Sequence, residues 1–308
     1  MSQEEVSELA RGQLRLPLSK EYLAIEVRNI LGVFNEMIDI DQIPQLDVNR
    51  VKYLNGKVLH NLELDDDTVP GQIRTHEVGV ARYRGAPARD CEYLLNRLFQ
   101  WLDGMDFELG HSNLALPILK AIVAHLYFSW IHPFGDGNGR VARLVEYQIL
   151  LTAGVPNPAA HLLSNHYNVT RSEYYRRLDR ASRDRTGVTD FLVYALQGFV
   201  DGLTEQLETI KDQIRIDMWT NYVHVKFRDR SGPADTRRRH LVLDLSDFDE
   251  PVRRRDIRLL TPRLAEAYSG KTDKTITRDL NVLSEMNLIT RTRQTIVANK
   301  DMMQAFSG

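Results

Sequence analysis

A run of thirteen residues constrains this chain more than any other: Ile131-His132-Pro133-Phe134-Gly135-Asp136-Gly137-Asn138-Gly139-Arg140-Val141-Ala142-Arg143. Before it, Leu119, Ile122, Val123, Leu126, Tyr127 and Trp130 recur at spacings of three and four, which predicts a helix buried over a broad face and ending at His132. After it, a helix is expected from about Asn138 to Ala153, stopped by Gly154 and Pro156. The chain must therefore fold around two helices that hold a short glycine-rich loop between them. Glycines let the backbone approach a ligand, and a loop feeding a helix offers unpaired N–H groups and the positive end of the helix dipole to an anion. Arg140 and Arg143 lie three apart, so both are expected to reach one side and clamp phosphate oxygens. Asp136, the one carboxylate of the loop, suits a divalent cation that arrives with a polyphosphate. His132 can act as a base near neutral pH. A core histidine beside an ordinary glycine turn is the plainer reading of single members, and the constellation as a whole speaks against it.

This segment resembles the signature of the Fic family, H-x-F-x-[D/E]-G-N-G-R-x-x-R, and matches it at every fixed position. The resemblance implies a mainly α, Fic-type helical core that transfers AMP from ATP to a Ser, Thr or Tyr hydroxyl of a target protein, or of the protein itself. It implies His132 as the base and Asp136 as the ligand of Mg²⁺ or Mn²⁺. Asn138 and the N–H groups of Gly135, Gly137 and Gly139 would stabilise charge on the α-phosphate. Arg140 would neutralise the β- and γ-phosphates, and Arg143 would orient the γ-phosphate. Further along, Tyr174-Tyr175-Arg176-Arg177-Leu178 is similar to a family segment beside the adenine; stacking on the base and packing in the core are both open for Tyr174 and Tyr175.

Upstream, a helix is expected from about Ser19 to Met37, with Tyr22, Ile25, Ile30 and Val33 forming a loose stripe. Many Fic proteins carry [S/T]-x-x-x-E-[G/N] on such a helix, its glutamate inhibitory through an ion pair with the second arginine of the signature. Glu26 takes that place and would pair with Arg143, although Tyr22 and Val27 depart from the pattern. A solvated surface glutamate is the other reading. The alternation from Gly71 to Tyr83 predicts a two-stranded hairpin and resembles the Fic flap, which pairs with the target segment by strand addition. Helices are expected over Cys91–Asp103 and from Val188 to about Lys226.

Arg228 to His240, with Ser231-Gly232-Pro233 and Arg237-Arg238-Arg239, is expected to be a linker. Beyond it, Thr261-Pro262 looks like a helix start, Ser269-Gly270 a turn and Lys271 to Met286 a second helix, which together describe a helix-turn-helix. Strands at Leu288–Arg291 and Thr295–Val297 would form its wing. Lys274-Thr275-Ile276-Thr277-Arg278-Asp279-Leu280 resembles the recognition helix of DeoR-like winged-helix domains. From Pro251 to Gly308, eleven Lys and Arg stand against six Asp and Glu, an excess that makes DNA a candidate partner through Lys274, Thr275 and Arg278, with protein contact as the alternative. The division expected is residues 1–60 as an N-terminal helical segment, 61–230 as the core and 231–308 as linker and winged helix-turn-helix.

The near-balanced net charge of −2 implies no global polyelectrolyte partner. A single cysteine, Cys91, excludes an internal disulfide and fits a reducing cytoplasm. No apolar run approaches the ~20 residues that a membrane-spanning helix needs, so neither export nor a membrane partner is expected. A homodimer is allowed for. Two other functions remain open from sequence: removal of AMP by the same site, and a DNA-binding regulator whose Fic core senses nucleotide.

Overall fold

The structure is a computed structural model, which describes residues 21–39, 42–80, 83–106, 113–248 and 250–306, with Glu5, Glu8 and Arg11 as isolated residues before them. The expected helix start at Ser19 and the hairpin tip at Ala81-Arg82 lie outside the described residues. Contacts divide the chain into two compact units, Met1–Leu203 and Thr204–Gly308.

The first unit is helical. In chain order come α1 (Glu21–Asp39), α2 (Val48–Val58), the paired strands β1 (Gly79–Val80) and β2 (Tyr83–Arg84), α3 (Cys91–Asp103), α4 (Ala115–Ile131) and α5 (Asn138–Thr152). The short helices α6 (Asn157–Ala160), α7 (Leu162–Val169) and α8 (Arg171–Ala181) follow, then α9 (Arg185–Lys226). The sequence Ala115–Ile131 is apolar nearly all round, as a helix enclosed by others requires. Ala121, Ile122, Ala124, Leu126 and Phe128 are fully enclosed, and Val141, Ala142, Val145 and Leu150 of α5 join them in one core with Val51, Leu54 and Val58 of α2 and Leu95 of α3. Asp47 caps α2 by accepting from the Arg50 N–H at 2.6 Å. Arg50 is itself buried and donates to Gln148 on α5 at 2.9 Å and to Glu36 on α1 at 3.3 Å, which ties three helices at one point. The hairpin is short: Gly79 opposes Arg84 and Val80 opposes Tyr83.

A second polar knot lies deeper. His125 on α4 and Glu146 on α5 are both enclosed, with His125 Nε2 at 2.8 Å from the Tyr174 hydroxyl and the Tyr167 hydroxyl donating to Glu146 at 3.0 Å. His125 and Glu146 approach to 3.6 Å but do not form an ion pair at neutral pH. Burial, with the charge of Arg143 acting in the same direction, holds the imidazole down to about 3; burial pushes the carboxyl up to about 8, against the pull of Tyr167 and Arg143.

In the second unit, α9 contributes Trp219 and Val223 to a core shared with Leu241, Val242 and Leu245 of α10 (Pro233–Ser246). Here the structure departs from the expected linker. Pro233 occupies the first turn of α10, where its missing N–H costs nothing, and Arg237, Arg238 and Arg239 are helical. Arg237 and Arg238 each donate to the enclosed carboxylate of Asp279 at 2.8 Å, so a basic run that reads as solvated in sequence neutralises a buried charge instead. Thr261 caps α11 (Pro262–Ala267) through the Leu264 N–H, Gly270 turns the chain at φ 68°, and α12 (Asp273–Glu285) follows. Strands β3 (Val252–Arg253), β4 (Ile289–Arg291) and β5 (Thr295–Ala298) form a sheet in the order β3-β5-β4, both pairings antiparallel. Ile276, Leu280 and Leu283 bury one face of α12.

The Glu146 carboxyl makes a prediction about stability. Its folded value lies above its unfolded one, so the stability it contributes is complete in acid and is lost as pH rises from about 4.5 to about 8. Glu146→Gln keeps an acceptor for Tyr167 but cannot ionise. Its melting temperature relative to wild type should therefore rise across that window in scanning calorimetry, and a difference independent of pH would contradict the burial argument.

Candidate active site

Helix α4 cannot continue past Ile131, because Pro133 excludes the helical region for the residue before it. His132 takes the left-handed conformation instead, with φ 49° and ψ 60°, and its N–H caps the helix on the Phe128 carbonyl. Five residues later Gly137, at φ 78°, opens α5. The loop between is closed by Asn138, whose buried amide accepts from the Phe134 N–H at 2.9 Å and donates to the Phe134 carbonyl at 2.7 Å. Phe134 in turn is 1% exposed and lies 6.2 Å from the Phe128 ring. Asn138 thus fixes the loop's backbone. Glycine is required where the loop meets its neighbours: a Cβ on Gly135 would lie 2.4 Å from Thr68 Oγ1, and one on Gly137 would lie 3.1 Å from Asn55 Nδ2.

No side chain caps the N-terminus of α5, and its first intrahelical bond runs from the Val141 N–H to the Gly137 carbonyl. The N–H groups of the first turn therefore have no side-chain cap at the end where the helix dipole is positive. His132 stands at the other end of the loop. Its Nδ1 lies 3.3 Å from the Ser129 carbonyl, which can only accept, so Nδ1 carries the proton and Nε2 the free lone pair. Burial holds this imidazole below its ordinary value; the Ser129 carbonyl opposes the shift, Arg74 reinforces it and Asp136 opposes it.

The two signature arginines do not converge. Arg140 donates to Glu26 at 2.7 Å and to Asp136 at 2.9 Å. Glu26 therefore meets the first arginine and not Arg143, as the sequence resemblance implied. The reason is the placement of Arg143 one turn further on, where its Nε is buried without a hydrogen-bond partner and its charge acts on His125, Glu146 and Tyr174. Helix α1 is held for this contact: Asn29 donates to the carbonyls of His60 at 2.7 Å and Val58 at 3.3 Å, one turn from Glu26. Tyr174 is 4% exposed, bonded to His125 and stacked on Tyr167 at 4.9 Å, so it belongs to the core and has no face for a base. Tyr175, 47% exposed, has Arg171 over its ring at 5.8 Å.

Asp136 accepts from the Gly137 N–H and from Arg140, and remains half exposed. Among the described residues no group of three or more His, Cys, Asp or Glu could hold a metal ion. One exposed carboxylate beside a glycine-rich loop fits a hard cation that takes its other ligands from phosphate oxygens and water.

Two residues that sequence reasoning passed over fasten the loop from outside. Asn55 of α2, fully buried, donates to the Asp136 carbonyl and accepts from the Gly71 N–H, both at 2.9 Å. Its signal was a polar residue between Val51 and Val58 on an otherwise apolar stripe. Arg74 reaches the His132 carbonyl at 2.7 Å. In the second unit, Lys274 and Arg278 lie one turn apart and exposed on α12, with Thr275 half-buried beside them.

Residues 45–150 match the sequence profile described as the Fic/DOC family. These residues form a Fic domain. The Fic match takes in α2 through most of α5, and so the hairpin, the loop and both signature arginines. The chain is 30% identical over 176 residues to "Protein adenylyltransferase Fic" of Nematostella vectensis, covering 52% of this chain and 37% of the relative. It is 32% identical over 139 residues to "Protein adenylyltransferase fic-1" of Caenorhabditis briggsae, covering 45% of this chain and 24% of the relative. The chain thus spans well under half the length of these relatives. The fold is similar to that of the crystal structure of a Fic family protein from Desulfovibrio desulfuricans G20, with a TM-score of 0.56 at 21% identity over 97% of this chain and 81% of the other.

The closure of the loop by Asn138 is open to test. Asn138→Asp still accepts from the Phe134 N–H but cannot donate to the Phe134 carbonyl, which leaves a buried acceptor unpaired at a cost of roughly 1–3 kcal/mol. Denaturant unfolding should show that loss, and an unchanged midpoint would mean that the loop holds its shape without this bond.

Proposed function

We propose that the chain is an ATP-dependent protein adenylyltransferase restrained by Glu26. One observation carries the reading: a buried His132 whose Nδ1 meets the Ser129 carbonyl and an uncapped helix N-terminus with Arg140 stand at the two ends of one six-residue loop, which is the equipment for in-line displacement at a phosphate. The relatives' names support AMP as the group moved and ATP as its donor.

His132 Nε2 takes the proton of a target hydroxyl as that oxygen attacks the α-phosphorus. The bond from the α-phosphorus to the bridging oxygen breaks, and pyrophosphate leaves. The open N–H groups of the α5 N-terminus bind the phosphate oxygens, and Arg140 neutralises those beyond the α-phosphate. Asp136 would hold Mg²⁺ or Mn²⁺, which supplies further charge neutralisation when bound. With Arg140 paired to Glu26, its guanidinium is diverted from phosphate, and this supports autoinhibition through the first signature arginine.

We assign the second unit as a winged helix-turn-helix, on the order α11-turn-α12-hairpin and the three-stranded sheet. Exposed Lys274 and Arg278 support DNA as its partner. In a gel shift with genomic fragments at low salt, Arg278→Ala should weaken binding without altering AMP transfer. No shift even with the unaltered protein would point to protein contact instead.

Transfer itself is tested by incubating the purified chain with α-labelled ATP, Mg²⁺ and a lysate. Protein should be labelled, His132→Ala should abolish the label while calorimetry still detects ATP, and Glu26→Gly should raise labelling by about tenfold, equivalent to ~1.4 kcal/mol. Labelling should stay level at neutral pH and fall only below the ordinary imidazole value, because burial lowers that of His132. Wild-type labelling by His132→Ala would remove His132 as the base; no label with Glu26→Gly would favour a nucleotide sensor.

A further inference from the structure

The nucleotide reading gives no task to the most enclosed cation beside the site. Arg74 is 4% exposed and makes no ion pair among the described residues. Every bond that its side chain makes there goes to a main-chain carbonyl: His132 at 2.7 Å, His76 at 2.7 Å, Ile131 at 3.4 Å and, very closely, Ala86. Its own N–H donates to the Pro133 carbonyl at 2.9 Å. A buried guanidinium without a carboxylate is costly unless its donors are satisfied, and here they are satisfied by three separate stretches of backbone. One is the C-terminus of α4 with His132, where the carbonyls are the negative end of the helix dipole. The other two are the chain entering the hairpin at 74–76 and the chain leaving it at 86.

The same three stretches are in contact at further points. The Ala86 N–H donates to the Trp130 carbonyl at 3.2 Å, and the Gly85 N–H to the Val78 carbonyl at 3.1 Å. A Cβ on Gly85 would stand 3.0 Å from Arg74 Nη2 and 3.1 Å from His132 Cβ, so the hairpin's return strand touches both residues. His132 meanwhile holds a left-handed conformation that costs a non-glycine residue about 1–2 kcal/mol and persists only where its surroundings over-determine it.

We infer that Arg74 is a positioning residue of the transfer reaction: its guanidinium clamps the left-handed bend at His132 to both legs of the hairpin, so the general base and the segment that receives the target move as one body. The inference rests on the adenylyltransferase reading. On it, a hydroxyl carried by a peptide at the hairpin edge is registered against His132 Nε2 by Arg74, which itself touches neither nucleotide nor target.

Two variants separate this task from plain stabilisation. Arg74→Lys keeps the charge but cannot reach three stretches of backbone, and Arg74→Met loses both. With Glu26→Gly as the common background, kcat for labelling should fall about 100-fold in each, the scale of an ångström's misplacement of a reacting group, while KM for ATP stays within about threefold. The acid limb of the rate should move to higher pH in Arg74→Met, since Arg74 holds His132 down, and should move less in Arg74→Lys. Rates within threefold of the parent in both variants would overturn the inference, as would an equal rise in KM for ATP with kcat intact.

A second measurement does not depend on activity. Amide exchange at Gly85 and Ala86, and the ¹⁵N signals of the His132 ring assigned with His132→Ala, should change together in Arg74→Met while calorimetry still shows one cooperative transition. If the parent labels nothing, the adenylyltransferase reading fails by itself, and the exchange data still decide whether Arg74 couples hairpin and histidine. Independent behaviour of the two would show that it does not.

Discussion

Positive charge gathered at the N-terminus of α5 is the constraint to which the rest of the first unit answers. An uncapped helix start and Arg140 together leave a concentration of donors that an anion must satisfy. In the chain alone, two carboxylates do so for Arg140: Asp136 from the loop and Glu26 from α1. Each is partly exposed, and an ion pair of that kind contributes only about 0–1 kcal/mol. Such a contact is strong enough to bias a site and weak enough for a polyphosphate to displace. The scaffold makes it matter by holding α1 in place through Asn29, Glu36 and Arg50, so the carboxylate of Glu26 is delivered without further ordering.

The loop was legible because its chemistry is local. Histidine before proline, alternating glycines and a helix-starting asparagine dictate their own geometry, and the bend at His132, the turn at Gly137 and the flanking helices follow from them. Less legible was what each side chain does inside that geometry. Asn138 has the groups to bind a phosphate, but its position one turn after Phe134 commits both ends of its amide to backbone. Arg140 and Arg143 are neighbours on a helix in sequence, yet the charge of the second acts on the buried knot of His125, Glu146 and Tyr174. Contacts between distant segments were hidden altogether: Arg74 on His132 is separated by 58 residues and Asn55 on Asp136 by 81.

The same division between local and distant information explains the second unit. Its capping threonine, turn glycine and amphipathic α12 were visible as short-range signals. The triple arginine was misread as a linker because a basic run carries no mark of its partner. That partner, Asp279, sits 42 residues from Arg237 on the buried side of α12.

The central claim is that the loop moves an adenylyl group and not a terminal phosphate. Intact mass spectrometry of the Glu26→Gly chain after incubation with unlabelled ATP and Mg²⁺ reads the transferred group directly. The account predicts a gain of one or more adenylyl units that His132→Ala does not show. A gain of phosphoryl mass alone, or no gain in either protein, would contradict it.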